Sequence, residues 1–108
     1  MANVYTFHKT LENDQRPNGR PMFVAEVEVT VTFSGREGEW EVENVELQCD
    51  ALGCIRGKDE NREDWSDWID TYKDRLPTVL SILFGYKDDD GFLDDLAEEG
   101  IYKWYYMI

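Results

Sequence analysis

Basic residues are scarce in this chain. Its 108 residues hold eleven Lys and Arg against twenty-four Asp and Glu, a formal net charge of −13. A field of that sign repels polyanions, so direct binding of nucleic acid or of an anionic membrane is disfavoured and basic partners are favoured. Histidine is scarcer still, with His8 alone. Nucleophilic catalysis ordinarily needs a base beside the nucleophile. Neither G-x-S-x-G nor a phosphate-cradling glycine loop occurs, so the expectation is a protein that is not an enzyme. The two cysteines, Cys49 and Cys54 in "CDALGC", are too few for a four-ligand zinc site and are not in C-x2-C spacing. They are read as reduced thiols, one at a strand end and one in the loop after it. No apolar run is long enough to span a bilayer. The opening "MANVYTFHKT" lacks the basic-then-apolar pattern of a secretory signal, so a cytoplasmic location is the default expectation, that of the host cell if the gene is phage-borne. No cofactor and no metal are expected.

Apolar residues make up 42% of the chain, with four Trp, six Tyr and five Phe. That suffices for one core and argues against disorder. The pattern predicts a single α+β domain over residues 1–108. A first strand is expected at 4–8, and a loop at 11–21 with Pro17-Asn18-Gly19 as its turn. The segment 21–33 is the clearest strand: Phe23, Ala25, Val27, Val29, Val31 and Phe33 share one face, and Glu26, Glu28, Thr30 and Thr32 the other. "SGREGE" makes a hairpin loop. In the returning strand, 40–49, apolar residues shift from even positions (Trp40, Val42) to odd ones (Val45, Leu47, Cys49). Such a phase change predicts a β-bulge near Glu43-Asn44. A simple hairpin would then set Glu26, Glu28, Glu39 and Glu41 on the outer face.

Residues 50–63 read as irregular. Residues 64–84 repeat apolar side chains at three- and four-residue steps, which predicts a helix capped by Asp64, with a kink or two abutting helices at Pro77. A short helix is expected at 91–99, ended by Gly100 as a left-handed cap. "IYKWYYMI" would close the chain as a strand, apolar on both faces. The resulting order is β-β-β-α-α-β: an antiparallel sheet of about four strands, with a long kinked helix and a short one on one face.

The charge is unevenly placed. Residues 1–36 hold four acids and four bases, and residues 37–108 the other twenty acids and seven bases. Asp88 to Glu99 alone carries seven carboxylates (Asp88, Asp89, Asp90, Asp94, Asp95, Glu98, Glu99) and no base. Asp-Asp-Asp-Gly suggests a calcium loop. With Gly91 at its sixth position, however, Tyr86 and Ala97 would stand where the first acid and the bidentate glutamate belong, so an EF-hand is rejected. Asp88, Asp89 and Asp90 suit the positive end of a helix. Glu98 and Glu99, in the expected last turn, oppose its dipole at about 0.3–1 kcal/mol each. Each run alone is an ordinary solvated face. Together they exceed what solubility needs, since solubilising surfaces mix signs.

In size and charge over residues 37–108 the chain resembles small phage- or plasmid-encoded nucleic-acid mimics: anti-restriction proteins, anti-CRISPR proteins and inhibitors of uracil-DNA glycosylase. The resemblance is one of class, and no residue carries over from it. It implies an inhibitory binding protein that occupies the basic groove of a nucleic-acid-binding host enzyme, such as a defence nuclease. Its expected contacts are the Asp88–Glu99 run with Glu26, Glu28, Glu39 and Glu41. The alternative is a structural module, homodimeric or partner-binding through Tyr102, Trp104, Tyr105 and Tyr106 of the C-terminal strand, with acidity serving solubility.

Overall fold

The computed structural model describes residues 2–13, 22–55 and 63–107. The chain forms β1 (Asn3–Glu12), β2 (Met22–Ser34), β3 (Glu41–Ile55) and β4 (Glu63–Asp64). These are followed by α1 (Ser66–Thr71), a 3-10 turn (Lys73–Arg75), α2 (Leu76–Leu83) and α3 (Asp89–Tyr106). The four strands pair antiparallel in the order β1-β2-β3-β4. The architecture is α+β, as the patterning predicts.

The sheet follows from alternation. The odd residues of β2 from Ala25 to Phe33 are fully buried, and Phe7 and Leu11 of β1 join them. The helices cover this inner face with Ile69, Leu80, Phe92, Leu96 and Ile101. The expected bulge is present: Thr32 pairs with Asn44 and Phe33 with Val42, leaving Glu43 over. A second shift, with Glu26 opposite Ala51 and Val27 opposite Cys49, leaves Asp50 over. It turns Leu52 and Cys54 inward, and both are buried.

Several expectations are corrected. β1 runs to Glu12, beyond the expected 4–8, and Pro17-Asn18-Gly19 lies outside the described residues. β3 runs on to Ile55, so Cys54 sits in a strand rather than a loop. The small residues Ala51 and Gly53 hid this, because both are depleted in strands while their backbone still pairs with β2. Of the kink or two abutting helices expected within 64–84, the structure has two helices, but the break is the 3-10 turn at Lys73–Arg75 rather than Pro77, which sits in the first turn of α2. Proline is tolerated there because its missing N–H would have no intrahelical partner anyway. Trp65, not Asp64, is the N-cap of α1. The Asp64 carboxylate still accepts bonds from the Ser66 hydroxyl (2.5 Å) and N–H (3.0 Å), which hold its pKa below the usual aspartate value.

The largest correction is at the C-terminus. The strand expected at 101–108 is not formed over the described residues 101–107; α3 continues to Tyr106. The fourth strand is Glu63–Asp64 instead. Gly100 is not a cap but a buried mid-helix residue. A Cβ there would lie 2.9 Å from both the Phe7 ring and Val31 Cγ2, so its missing side chain is what lets the helix touch the sheet. The left-handed helix terminator is Gly85, at φ 79°. It follows α2, with Tyr86 N–H bonded to the Ser81 carbonyl (2.9 Å) and Gly85 N–H to that of Ile82 (3.4 Å), the two bonds of a Schellman motif. The last eight residues misled because so apolar a segment satisfies period 2 and period 3.6 alike. The stripe Phe92, Leu96, Gly100, Ile101, Trp104 is continuous only when followed across the glycine.

Gly100→Ala should therefore destabilise the fold. Overpacking costs about 1–3 kcal/mol, and alanine returns about 1 kcal/mol of helix propensity. The expected net loss in chemical denaturation is about 1 kcal/mol, and Gly100→Val should lose roughly 3 kcal/mol. An alanine variant more stable than the parent would contradict the close approach.

Candidate functional site

The acidic residues of the expected contact surface are divided between the outer face of the sheet, the hairpin end and α3 on the other side of the molecule. On the uncovered outer face of the sheet stand Glu26 and Glu28, joined by Glu46 of β3. Each faces a residue that is not acidic: Glu26 lies between Thr10 and Ala51, Glu28 between His8 and Gln48, and Glu46 opposite Thr30. His8 Nε2 is 3.7 Å from Glu28. Like charges directly opposite would destabilise the sheet, and this register avoids them. Glu41 pairs opposite Ser34 at the far end of β2, about 27 Å along the strand from Glu26. Glu39 is in the hairpin loop, its N–H bonded to the Arg36 carbonyl at 2.8 Å. The expected compact patch of Glu26, Glu28, Glu39 and Glu41 is thus divided between the sheet face and the hairpin tip.

The second set lies on α3, on the other side of the molecule. Asp88 caps the helix, its carboxylate accepting the Gly91 N–H at 2.6 Å. Asp89 accepts the Thr78 hydroxyl at 2.6 Å, and Ser81 Oγ stands 3.1 Å from it. It thereby ties α2 to α3. Both residues serve the fold. Glu99 does too: it meets Lys9 of β1 at 2.5 Å and Lys103 at 3.9 Å. Glu98 and Glu99 lie in the middle of the helix, so neither opposes its dipole as expected, and Lys103 occupies the last turn. Asp90, Asp94, Asp95 and Glu98 remain exposed, and no base pairs with them among the described residues. Asp90, Asp94 and Glu98 form a ridge at four-residue steps, about 6 Å apart along the axis.

This ridge continues into exposed tyrosines, Tyr102 and Tyr106. Here α3 and the β2–β3 hairpin enclose a groove of about 610 Å³. One wall is Glu37, Trp40 and Val42; the other is Asp94, Glu98, Tyr102, Tyr105 and Tyr106, with Ile101 contributing apolar surface. The local sequence explains the walls. Gly35 and Gly38, at φ 108° and 83°, turn the hairpin. At Gly35 a Cβ would come within 2.4 Å of the Glu39 carbonyl. Trp40 packs edge-on against Phe33 (5.5 Å) and Trp104 (5.4 Å), which themselves meet at 5.0 Å. That three-ring cluster fixes the hairpin to the helix. Trp104 is accordingly half-buried structure, while Tyr102, Tyr105 and Tyr106 face outward. The Tyr105 hydroxyl donates to Glu37 Oε1 at 2.7 Å, closing a strap from helix to hairpin. Beyond the strap lies a second hollow of about 430 Å³, which shares Glu37, Trp40, Tyr105 and Tyr106.

Sequence reasoning missed Glu37, Val42 and the juxtaposition of acids with tyrosines. Only the i, i+4, i+8, i+12 series Asp90, Asp94, Glu98, Tyr102 could have signalled it, and that series requires one helix through Gly100. His8 is on the other face. Cys49 is half-buried, and burial pushes its thiol up to about 11, which makes it a poor nucleophile. No disulfide joins it to Cys54. No cluster of three or more metal-ligating side chains occurs among the described residues, and no helix of the described residues is long and apolar enough to cross a membrane. In comparison with known proteins, no family model, curated protein or solved structure matches the chain.

The strap has a measurable consequence. The bond to Glu37 and the charge of its carboxylate hold the Tyr105 phenol above its ordinary value of 10.0. Its neutral form is favoured in the folded state, so this contribution to stability is present below the unfolded tyrosine pKa and is lost as pH rises through the raised one. In a ring-labelled NMR titration Tyr105 should be a late-titrating tyrosine, and Glu37→Ala should bring its midpoint down. An unchanged midpoint would show that the strap does not form in solution.

Proposed function

We propose that the chain is a non-enzymatic binding protein that offers an acidic surface to a basic partner, in the manner of a nucleic-acid-mimicking inhibitor. One observation carries this reading: the exposed ridge Asp90, Asp94, Glu98 is unpaired by base among the described residues and runs directly into exposed tyrosines. Interfaces concentrate binding energy in aromatic centres bounded by polar rims. Carboxylates at regular intervals on a rigid helix offer Lys and Arg groups the kind of repeated negative charge that a nucleic-acid backbone offers. Three acids (Asp14, Asp59, Glu60) and five bases (Arg16, Arg20, Arg56, Lys58, Arg62) fall outside the described residues. The described part is therefore more acidic than the chain as a whole. The natural target is a host enzyme with a basic nucleic-acid groove, such as a defence nuclease.

The outer-sheet glutamates face away from α3, so a partner seated on the ridge does not reach Glu26 or Glu28. The contact set becomes Asp90, Asp94, Asp95 and Glu98, with Glu37 and Glu39 at the hairpin. Self-association through the same tyrosines is disfavoured. A two-fold interface there would bring the patch of Glu37, Asp94 and Glu98 against the same patch of the second copy, and like charges facing across an interface cost several kcal/mol.

The test is capture of binding proteins at low salt, followed by competition with duplex DNA and RNA. The captured protein should bind nucleic acid, and nucleic acid should displace it. The on-rate should fall about tenfold or more on raising salt, because steering is screened. Asp94→Lys with Glu98→Lys should weaken the complex at least about tenfold, while Glu26→Lys with Glu28→Lys should leave it within about twofold. A partner without a basic groove, or indifference to the α3 pair, would overturn the reading.

A further inference from the structure

We infer that the groove between the β2–β3 hairpin and the C-terminal half of α3 receives an arginine side chain of the partner. This rests on the reading above and names the chemistry by which the surface recognises its target. The argument is charge and shape complementarity. Carboxylates stand on both walls, Glu37 on the hairpin and Asp94 and Glu98 on the helix, and no Lys or Arg among the described residues lines the space. The helix wall also carries aromatic rings at different angles: Tyr102 and Tyr106 with centroids 4.5 Å apart and planes at 43°, and Tyr105 and Tyr106 at 5.2 Å and 84°. Tyr102 and Tyr106 are 64% and 68% exposed, so the core does not use most of their surface.

A cation is attracted to the face of an aromatic ring. Among cations, the guanidinium adds what this groove can use. It is planar and stacks on tyrosine, and its fork donates to carboxylates in two directions at once. Val42 and Ile101 offer apolar surface for the arginine stem, which buries its methylenes while its head remains paired. Glu37 is already oriented: the Tyr105 hydroxyl holds one oxygen at 2.7 Å, which leaves the other oxygen to accept. The base nearest in sequence, Arg36, is not among the lining residues, and Lys103 points the other way, over the Phe7 ring at 5.1 Å. Among the described residues the groove therefore has no cation of its own to fill it.

The experiment is an NMR titration of the full chain at physiological salt with three blocked peptides. One alternates arginine and glycine, one replaces each arginine with lysine, and one replaces each with citrulline. Citrulline keeps the planar shape and removes the charge. The arginine peptide should shift the Trp40 indole and the Tyr102 and Tyr106 ring signals in a saturable way. The citrulline peptide should bind at least about tenfold more weakly, and the lysine peptide about threefold to tenfold more weakly. Tyr102→Ala, a change at an exposed side chain, should cost the arginine peptide about fivefold. Glu37→Gln with Glu98→Gln should cost about tenfold.

Equal binding by the citrulline peptide, or shifts confined to the outer sheet around Glu28 and Glu46, would overturn the inference. Equal binding by the lysine peptide would overturn the assignment to arginine. The two readings fail separately. If the peptides miss the groove while Asp94→Lys with Glu98→Lys still breaks the partner complex, the acidic surface stands without the groove. If the arginine peptide binds the groove but the captured partner has no affinity for nucleic acid, the groove stands and the mimicry fails.

Discussion

The structure depends on one close contact. At Gly100 the long C-terminal helix meets Phe7 and Val31 with no side chain between. That approach brings Ile101 against the core and lets Trp104 join Phe33 and Trp40. It sets Glu99 beside Lys9 of the first strand and Lys103 over the Phe7 ring. With the helix held there, its opposite side has no layer above it. The acids and tyrosines on that side are exposed because the glycine on the other side is not.

The same contact divides the acidity by role. Asp88, Asp89 and Glu99 are tied to a helix cap, to α2 and to two lysines. Charge of this kind supports the fold and has little left for a partner. Of the outer-sheet glutamates, Glu26 and Glu46 are exposed and Glu28 partly so, and all are spaced among threonine, glutamine and histidine neighbours, an ordinary solvated face. What remains distinctive is the ridge on α3, where charge passes into aromatic surface beside the hairpin. Acidic mimicry and aromatic docking look like alternatives when the run and the C-terminal segment are treated as separate elements. On one continuous helix they are neighbouring parts of one surface.

The parts of the chain that could be read were those with one consistent period. β2 alternates without exception from Ala25 to Phe33, and the phase change between Val42 and Val45 correctly marked the bulge at Glu43. The parts that could not be read satisfied two periods or carried a misleading residue. "IYKWYYMI" fits strand and helix equally. Gly100 has the composition of a stop, and only its packing partners reveal it as a spacer. The second bulge at Asp50 was hidden by the small residues after it. The candidate groove was illegible for a further reason. Glu37 and Tyr105 stand sixty-eight residues apart, and no local pattern brings them together.

The sequence by itself determined the class of fold, the inner face of the central strand, the acidic excess after residue 36 and the fit of Asp88, Asp89 and Asp90 to the positive end of a helix, although it set the helix start at Gly91 rather than Asp89. These follow from local periodicity, composition and capping, which need no distant partner. Only the tertiary structure decided which acids are structural and which are exposed. It also decided that the last segment is helical and that an acidic ridge, three tyrosines and a hairpin glutamate share one groove. The reason is that each of these depends on where α3 rests on the sheet. That position is set by a side chain the sequence omits, at Gly100, and by the two residues that fill its place.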